Sequence, residues 1–172
     1  MKLSVKLLVA AACGAALFLS ASARAEIVRF PETGNPAFLI TTPDDWTHQP
    51  DGDGNLLLIA GNKTASYALT VGAYDGTLDD LATGAMKAAG AEPPQQMGPT
   101  QISGYRGYAY DSSMVNPRGV HVNVHFVAVK TDAAHMASIT MLTVDGIGTG
   151  DYQAAHSVMD NTQIVGSPSE MK

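Results

Sequence analysis

Residues 119–130 read GVHVNVHFVAVK, and this alternation limits the possible folds more than any other stretch of the chain. Successive side chains of a strand point to opposite faces, so Val120, Val122, Val124, Phe126 and Ala128 share one side while His121, Asn123 and His125 share the other. A strand that is apolar on one side and polar on the other belongs in an antiparallel sheet with one face against a core. Parallel sheets are covered on both faces and call for strands that are apolar throughout.

The flanking segments extend this into a meander. Residues 104–114 (GYRGYAYDSSM) precede it across the turn Asn116-Pro117-Arg118-Gly119, and residues 135–144 (HMASITMLTV) follow Thr131-Asp132-Ala133. A connection of two or four residues there places Ile139 and Met141 on the side of the valines. Upstream, 38–42 reads as a strand stopped by Pro43-Asp44-Asp45-Trp46. Residues 55–60 and 66–74, joined by Gly61-Asn62-Lys63, read as a hairpin. Thr77 with Asp80 three residues on forms a capping box, and Leu78, Leu81, Ala82, Ala85, Ala88 and Ala89 follow at helical spacing until Gly90. Pro93 and Pro94 make 91–99 an extended connection. A second helix spans 151–161, with Tyr152, Ala155 and Met159 on one stripe, and 163–165 is a last short strand. Hairpins combined with helices, without strict βαβ alternation, give an antiparallel α+β domain. The expected domain covers 36–165, with Val122, Val124, Phe126, Leu81 and Ile139 in its core. Residues 26–35 form an N-terminal extension and 166–172 a disordered tail.

This order of elements resembles the PsbP-like fold, which includes the extrinsic photosystem II protein PsbP and the DcrB-like proteins of bacterial envelopes. The resemblance spans about residues 36–165. It rests on FLITTPDDW at 38–46 with Pro43 and Trp46 after the first strand, and on Ile102-Ser103-Gly104-Tyr105 opening the meander. It implies a central antiparallel β-sheet with two main helices packed on it and an envelope accessory or binding module, and it brings no catalytic residue with it.

The N-terminus carries an address. Lys2 and Lys6 precede an uncharged run over residues 7–19, and Ala23-Arg24-Ala25 offers small residues at a cleavage site, so 1–25 reads as a secretory signal cleaved after Ala25. The run is too short to span a bilayer. Cys13, within Ala10-Ala11-Ala12-Cys13-Gly14, offers the alternative of a lipoprotein anchor. The expected location is periplasmic or secreted, with no transmembrane segment in the mature chain. Three of the 10 Lys and Arg residues lie in the signal and all 16 Asp and Glu lie after it, so the mature chain has a net charge of −9. Seven scattered basic residues on so acidic a chain argue against nucleic acid as a partner. With Cys13 removed no thiol remains, and no disulfide, cysteine zinc site or iron–sulfur cluster can form.

Candidate residues are few. Arg106, Tyr108 and Tyr110 alternate on one strand as His121, Asn123 and His125 do on the next. If the turn sets the two rows side by side, they make a polar, aromatic patch suited to a small anionic or sugar-like ligand; a shift of one residue buries the tyrosines instead. His121 and His125 stand about 13 Å apart along a straight strand, too far to share an ion, so the row reads as the polar side of a half-exposed strand, with His125 able to reach Ser138 or Thr140 across the ladder. Asp51-Gly52-Asp53-Gly54-Asn55 opens like a calcium loop, but Leu56 and Asn62 stand where that loop needs Gly and Glu, so an acidic turn is the better reading. The sequence holds no nucleophile elbow, His-Glu-x-x-His, phosphate loop or dinucleotide fingerprint, and no cofactor or metal is expected. The reading is an exported, non-catalytic module binding an envelope protein or a small ligand. Its alternative is a metal-binding protein or small hydrolase using His121, His125 or His135.

Overall fold

The computed structural model describes residues 25–51 and 54–166. The signal (apart from Ala25), the tail beyond Gly166 and the centre of the acidic turn lie outside them. Ten strands and two helices follow in the order β1 (Glu26–Phe30), β2 (Ala37–Thr42), β3 (Thr47–Pro50), β4 (Leu56–Ile59), β5 (Ala65–Ala73), α1 (Leu78–Ala89), β6 (Gln95–Ile102), β7 (Tyr105–Val115), β8 (His121–Lys130), β9 (His135–Val144), α2 (Thr149–Asp160) and β10 (Gln163–Val165). Seven strands form one antiparallel sheet in the order β3-β4-β5-β9-β8-β7-β6, and β1-β2-β10 form a second. This is the α+β architecture expected from the sequence.

The large sheet has a core on each face. On one side α1 packs Leu78, Ala82 and Met86 onto Tyr110, Val124, Phe126, Ala128 and Met136. On the other, α2 and the small sheet bring Ala155, Val158, Phe38, Ile40 and Ile164 onto Tyr67, Leu69, Val127, Val129 and Ile139. Trp46 seals an edge of this second core, its ring 5.6 Å from that of Tyr67. Of the residues expected in the core, Val122, Val124, Phe126 and Ile139 are buried, while Leu81 is only partly so. The local signals of α1 are realised as read: the Thr77 hydroxyl accepts from Asp80 N, Asp80 accepts from Thr77 N, and Gly90 closes the helix at φ 70°.

Three expectations need correction. Residues 26–35 were expected ahead of the domain, but β1 within them pairs along its length with β2 and buries Val28; five residues before Pro31 are too few to show a period. The extended connection 91–99 becomes edge strand β6 from Gln95, where Pro99 is tolerated because one side needs no partner. Ile139 and Met141 do not face the valines. Lys130 pairs with Met136 and Val127 with Ile139, so Ile139 and Met141 belong to the α2 face. The cause is a connection of odd length, Asp132-Ala133-Ala134, closed by Thr131 N bonding His135 O and by Asp132 Oδ1 accepting from Ala134 N and His135 N. These hydrogen bonds, the one from Ala134 first, hold the Asp132 carboxyl below the usual carboxylate range.

Candidate functional site

The β7–β8 register decides which candidate residues meet. Tyr110 pairs with Phe126 and Tyr108 with Ala128, whereas Asp111 pairs with His125 and Ser113 with Asn123. The two rows of the expected patch therefore lie on opposite faces of the sheet. Arg106, Tyr108 and Tyr110 face α1, and His121, Asn123 and His125 face away from it. The turn explains this. Asn116 N bonds Val120 O, leaving a three-residue loop that ends on Gly119 at φ 79°, the hairpin in which a type I turn is followed by a left-handed residue.

On the α1 face, Arg106 and Tyr108 open into a cleft of about 870 Å³. Its wall is the start of α1 (Thr77, Leu78, Asp79), its far edge is Pro99, Thr100 and Gln101 of β6, and Lys130 stands at its end. Arg106 and Lys130 flank the Gly107–Val129 pair on neighbouring strands, and neither has an ion-pair partner among the described residues. Like charges set side by side on adjacent strands cost stability. The nearby carboxylate, Asp79, is engaged by the Tyr110 hydroxyl, which donates to Oδ1 at 2.6 Å. Tyr110 is thus a buried strut that fixes the helix start, while Tyr108 remains 41% exposed and offers a ring face to the cleft.

Burial, and then the hydrogen bond to Asp79, pushes the Tyr110 phenol up; burial does the same for Tyr67, whose hydroxyl donates to Ala155 O. A raised folded value means that stability is complete below the ordinary tyrosine range near 10 and drains as pH rises beyond it. We expect Tyr67 and Tyr110 to ionise only as the fold opens. Phenolate absorbance should then show a late component coincident with loss of circular dichroism, and this component should disappear in a Tyr67→Phe/Tyr110→Phe variant. A late component that survives in the variant would contradict the assignment.

On the other face, the three histidines singled out as an alternative are kept apart. His121 is exposed at the start of β8, His135 lies at the opposite end of the meander bonded to Asp132, and His125 Nδ1 donates to Asp111 Oδ1 at 2.6 Å. His125 finds Asp111 on β7 rather than Ser138 or Thr140 on β9, because its cross-strand neighbour there is Met141. Its closest histidine is His156 of α2, with ring centroids 6.4 Å apart. Among the described residues no three His, Cys, Asp or Glu side chains converge on a metal position. The acidic turn is tied by Asp51, whose carboxylate accepts from Asn55 N at 2.8 Å and Asn55 Nδ2 at 2.7 Å. The sequence reading missed Lys130, Asp111, Tyr152 and His156. Lys130 was within reach, since it has the parity of the valines and so lies on the face of Arg106.

No family model matches the sequence, and no curated protein matches it. Solved structures do. LpqN, involved in cell envelope biogenesis of Mycobacterium tuberculosis, superposes with a TM-score of 0.56 at 17% identity, over 83% of this chain and 91% of that one. Cyanobacterial PsbP (CyanoP) from Synechocystis sp. PCC 6803 superposes with a TM-score of 0.58 at 9% identity, over 83% and 94%. The fold is PsbP-like. At these identities the likeness is one of architecture, and no helix among the described residues is long and apolar enough to cross a membrane.

Proposed function

We propose that this protein is an exported, non-catalytic binding module of the cell envelope, and that the α1–β6–β7 cleft holds a small anionic ligand with an apolar or aromatic body. The observation that carries the reading is the pair Arg106 and Lys130. Two of the seven basic residues of an acidic mature chain stand together, without an ion-pair partner among the described residues, at a cleft whose walls are otherwise mainly apolar. A guanidinium and an ammonium grip a carboxylate, sulfonate or phosphate through charge-assisted hydrogen bonds. Tyr108, Leu78 and Pro99 supply flat or apolar surface for the rest of the molecule. An anion between the two cations also removes the cost of holding them together. The secretory pattern of residues 1–25 and the involvement of the structurally similar LpqN in cell envelope biogenesis support the location.

The anionic aromatic dye 1-anilinonaphthalene-8-sulfonate has both required parts and serves as the probe. It should bind the folded protein saturably at one site. Each cation contributes about 1–1.5 kcal/mol in so open a cleft, so the Arg106→Ala/Lys130→Ala variant should bind it roughly 30-fold more weakly or worse. A double variant that melts normally and binds as tightly as the wild type would remove the basis of the proposal.

A further inference from the structure

Along the α2 face, three neighbouring strands change character at the same level. Ala109, Val127 and Ile139 are apolar and belong to the core shared with α2 and the small sheet; one step on stand Asp111, His125 and Met141, and after them Ser113, Asn123 and Thr143. The helix does not cover this polar step. Its first turns end there in Tyr152 and His156, leaving a recess of about 270 Å³ bounded by Asp111, Asn123, His125, Thr143, Tyr152 and His156. We propose that this recess is a second binding site, separate from the cleft on the opposite face, and that it takes a neutral polyhydroxylated ring such as a monosaccharide unit.

The chemistry selects that class. Asn123, Thr143 and Tyr152 each both donate and accept, as hydroxyl groups do. Asp111 uses Oδ1 on His125 and keeps Oδ2 for a donor, and a carboxylate beside an amide matches two adjacent hydroxyls. With Nδ1 engaged by Asp111, His125 keeps Nε2 for a hydroxyl, which can both donate and accept. The same carboxylate repels anions. A divalent cation finds too few oxygen ligands, since no three acidic or histidine side chains converge among the described residues. Tyr152 is 45% exposed and its ring lies 4.3 Å from that of His156, so it stands as a supported aromatic wall against which the C–H face of a sugar ring can lie. Behind it His156 Nε2 is buried without a hydrogen-bond partner among the described residues, which leaves bonding capacity unused in that wall. The volume falls just below the range of drug-sized pockets, as expected for a single ring.

Saturation-transfer NMR on the mature chain tests this with methyl α-D-glucopyranoside, methyl α-D-mannopyranoside and N-acetyl-D-glucosamine. At least one of them should receive saturation, strongest on its ring C–H protons. Affinity should fall about tenfold in Tyr152→Ala, where the stacking wall is lost, and fall again in Asn123→Ala. Both positions are exposed, so the fold should survive, and Arg106→Ala should leave the effect unchanged. Silence from all three sugars, or equal affinity in the Tyr152→Ala variant, overturns the assignment. Stoichiometric zinc bound by the wild type and lost in His125→Ala overturns it too, making the recess a metal site.

Discussion

Val124→Asp is expected to remove about 3–5 kcal/mol of stability, enough to unfold a domain at the lower end of the usual range. Val124 is 1% exposed, in the middle of β8, between Ser112 of β7 and Leu142 of β9 and beneath α1. Tyr110, Phe126, Ala82 and Met86 share its cluster and offer no cation to a carboxylate. An uncompensated buried charge costs about 3–5 kcal/mol, and the whole stability of a domain is about 5–15 kcal/mol. Val124→Thr keeps the shape and adds a hydroxyl, so its cost should stay near 1–3 kcal/mol. Circular dichroism melts of the two variants separate charge from shape. An aspartate variant that melts with the wild type would mean that β8 faces the other way.

Gly107→Ala should have the next largest effect, through the backbone alone. A Cβ at Gly107 would fall on the carbonyl oxygen of Ala128, so β7 and β8 would have to part at that point. The obstacle is main chain rather than a flexible side chain, which puts the cost at the upper end of the overpacking range, about 2–3 kcal/mol. That is a fall in Tm of about 6–10 °C for a domain of this size. Arg106 and Tyr108 are the residues on either side, so the variant should also bind the anilinonaphthalene dye less well. A variant with wild-type Tm would show that the two strands do not approach so closely.

What the sequence disclosed follows the range of the interactions involved. The capping box at Thr77 and Asp80, the left-handed stop at Gly90 and the alternation of β8 up to His125 are set by neighbours in the chain and appear in the structure as read, while from Phe126 to Val129 the strand is buried on both faces. Strand pairing depends on loop length, and both hairpin loops of the meander have three residues. Asn116-Pro117-Arg118-Gly119 carries a signal for that: proline suits the second position of a type I turn, and glycine the left-handed residue after it. Asp132-Ala133-Ala134 has no glycine and is closed by the Asp132 side chain, so its odd length, and with it the face of Ile139, was hidden. The grouping of candidate residues changed for the same reason, because one register step moves a whole row to the other face. His156 and Tyr152 join His125 only through the packing of α2 on the sheet, a contact that no local pattern encodes.

The most direct test of the cleft is to map where the dye binds. In amide NMR spectra of the mature chain titrated with 1-anilinonaphthalene-8-sulfonate, shift changes should concentrate on residues 77–79, 99–101, 106–108 and 130, on the α1 face. Changes centred on 123–125 and 152–156 instead, or spread evenly over the sheet, would contradict the proposal that Arg106 and Lys130 form a binding site.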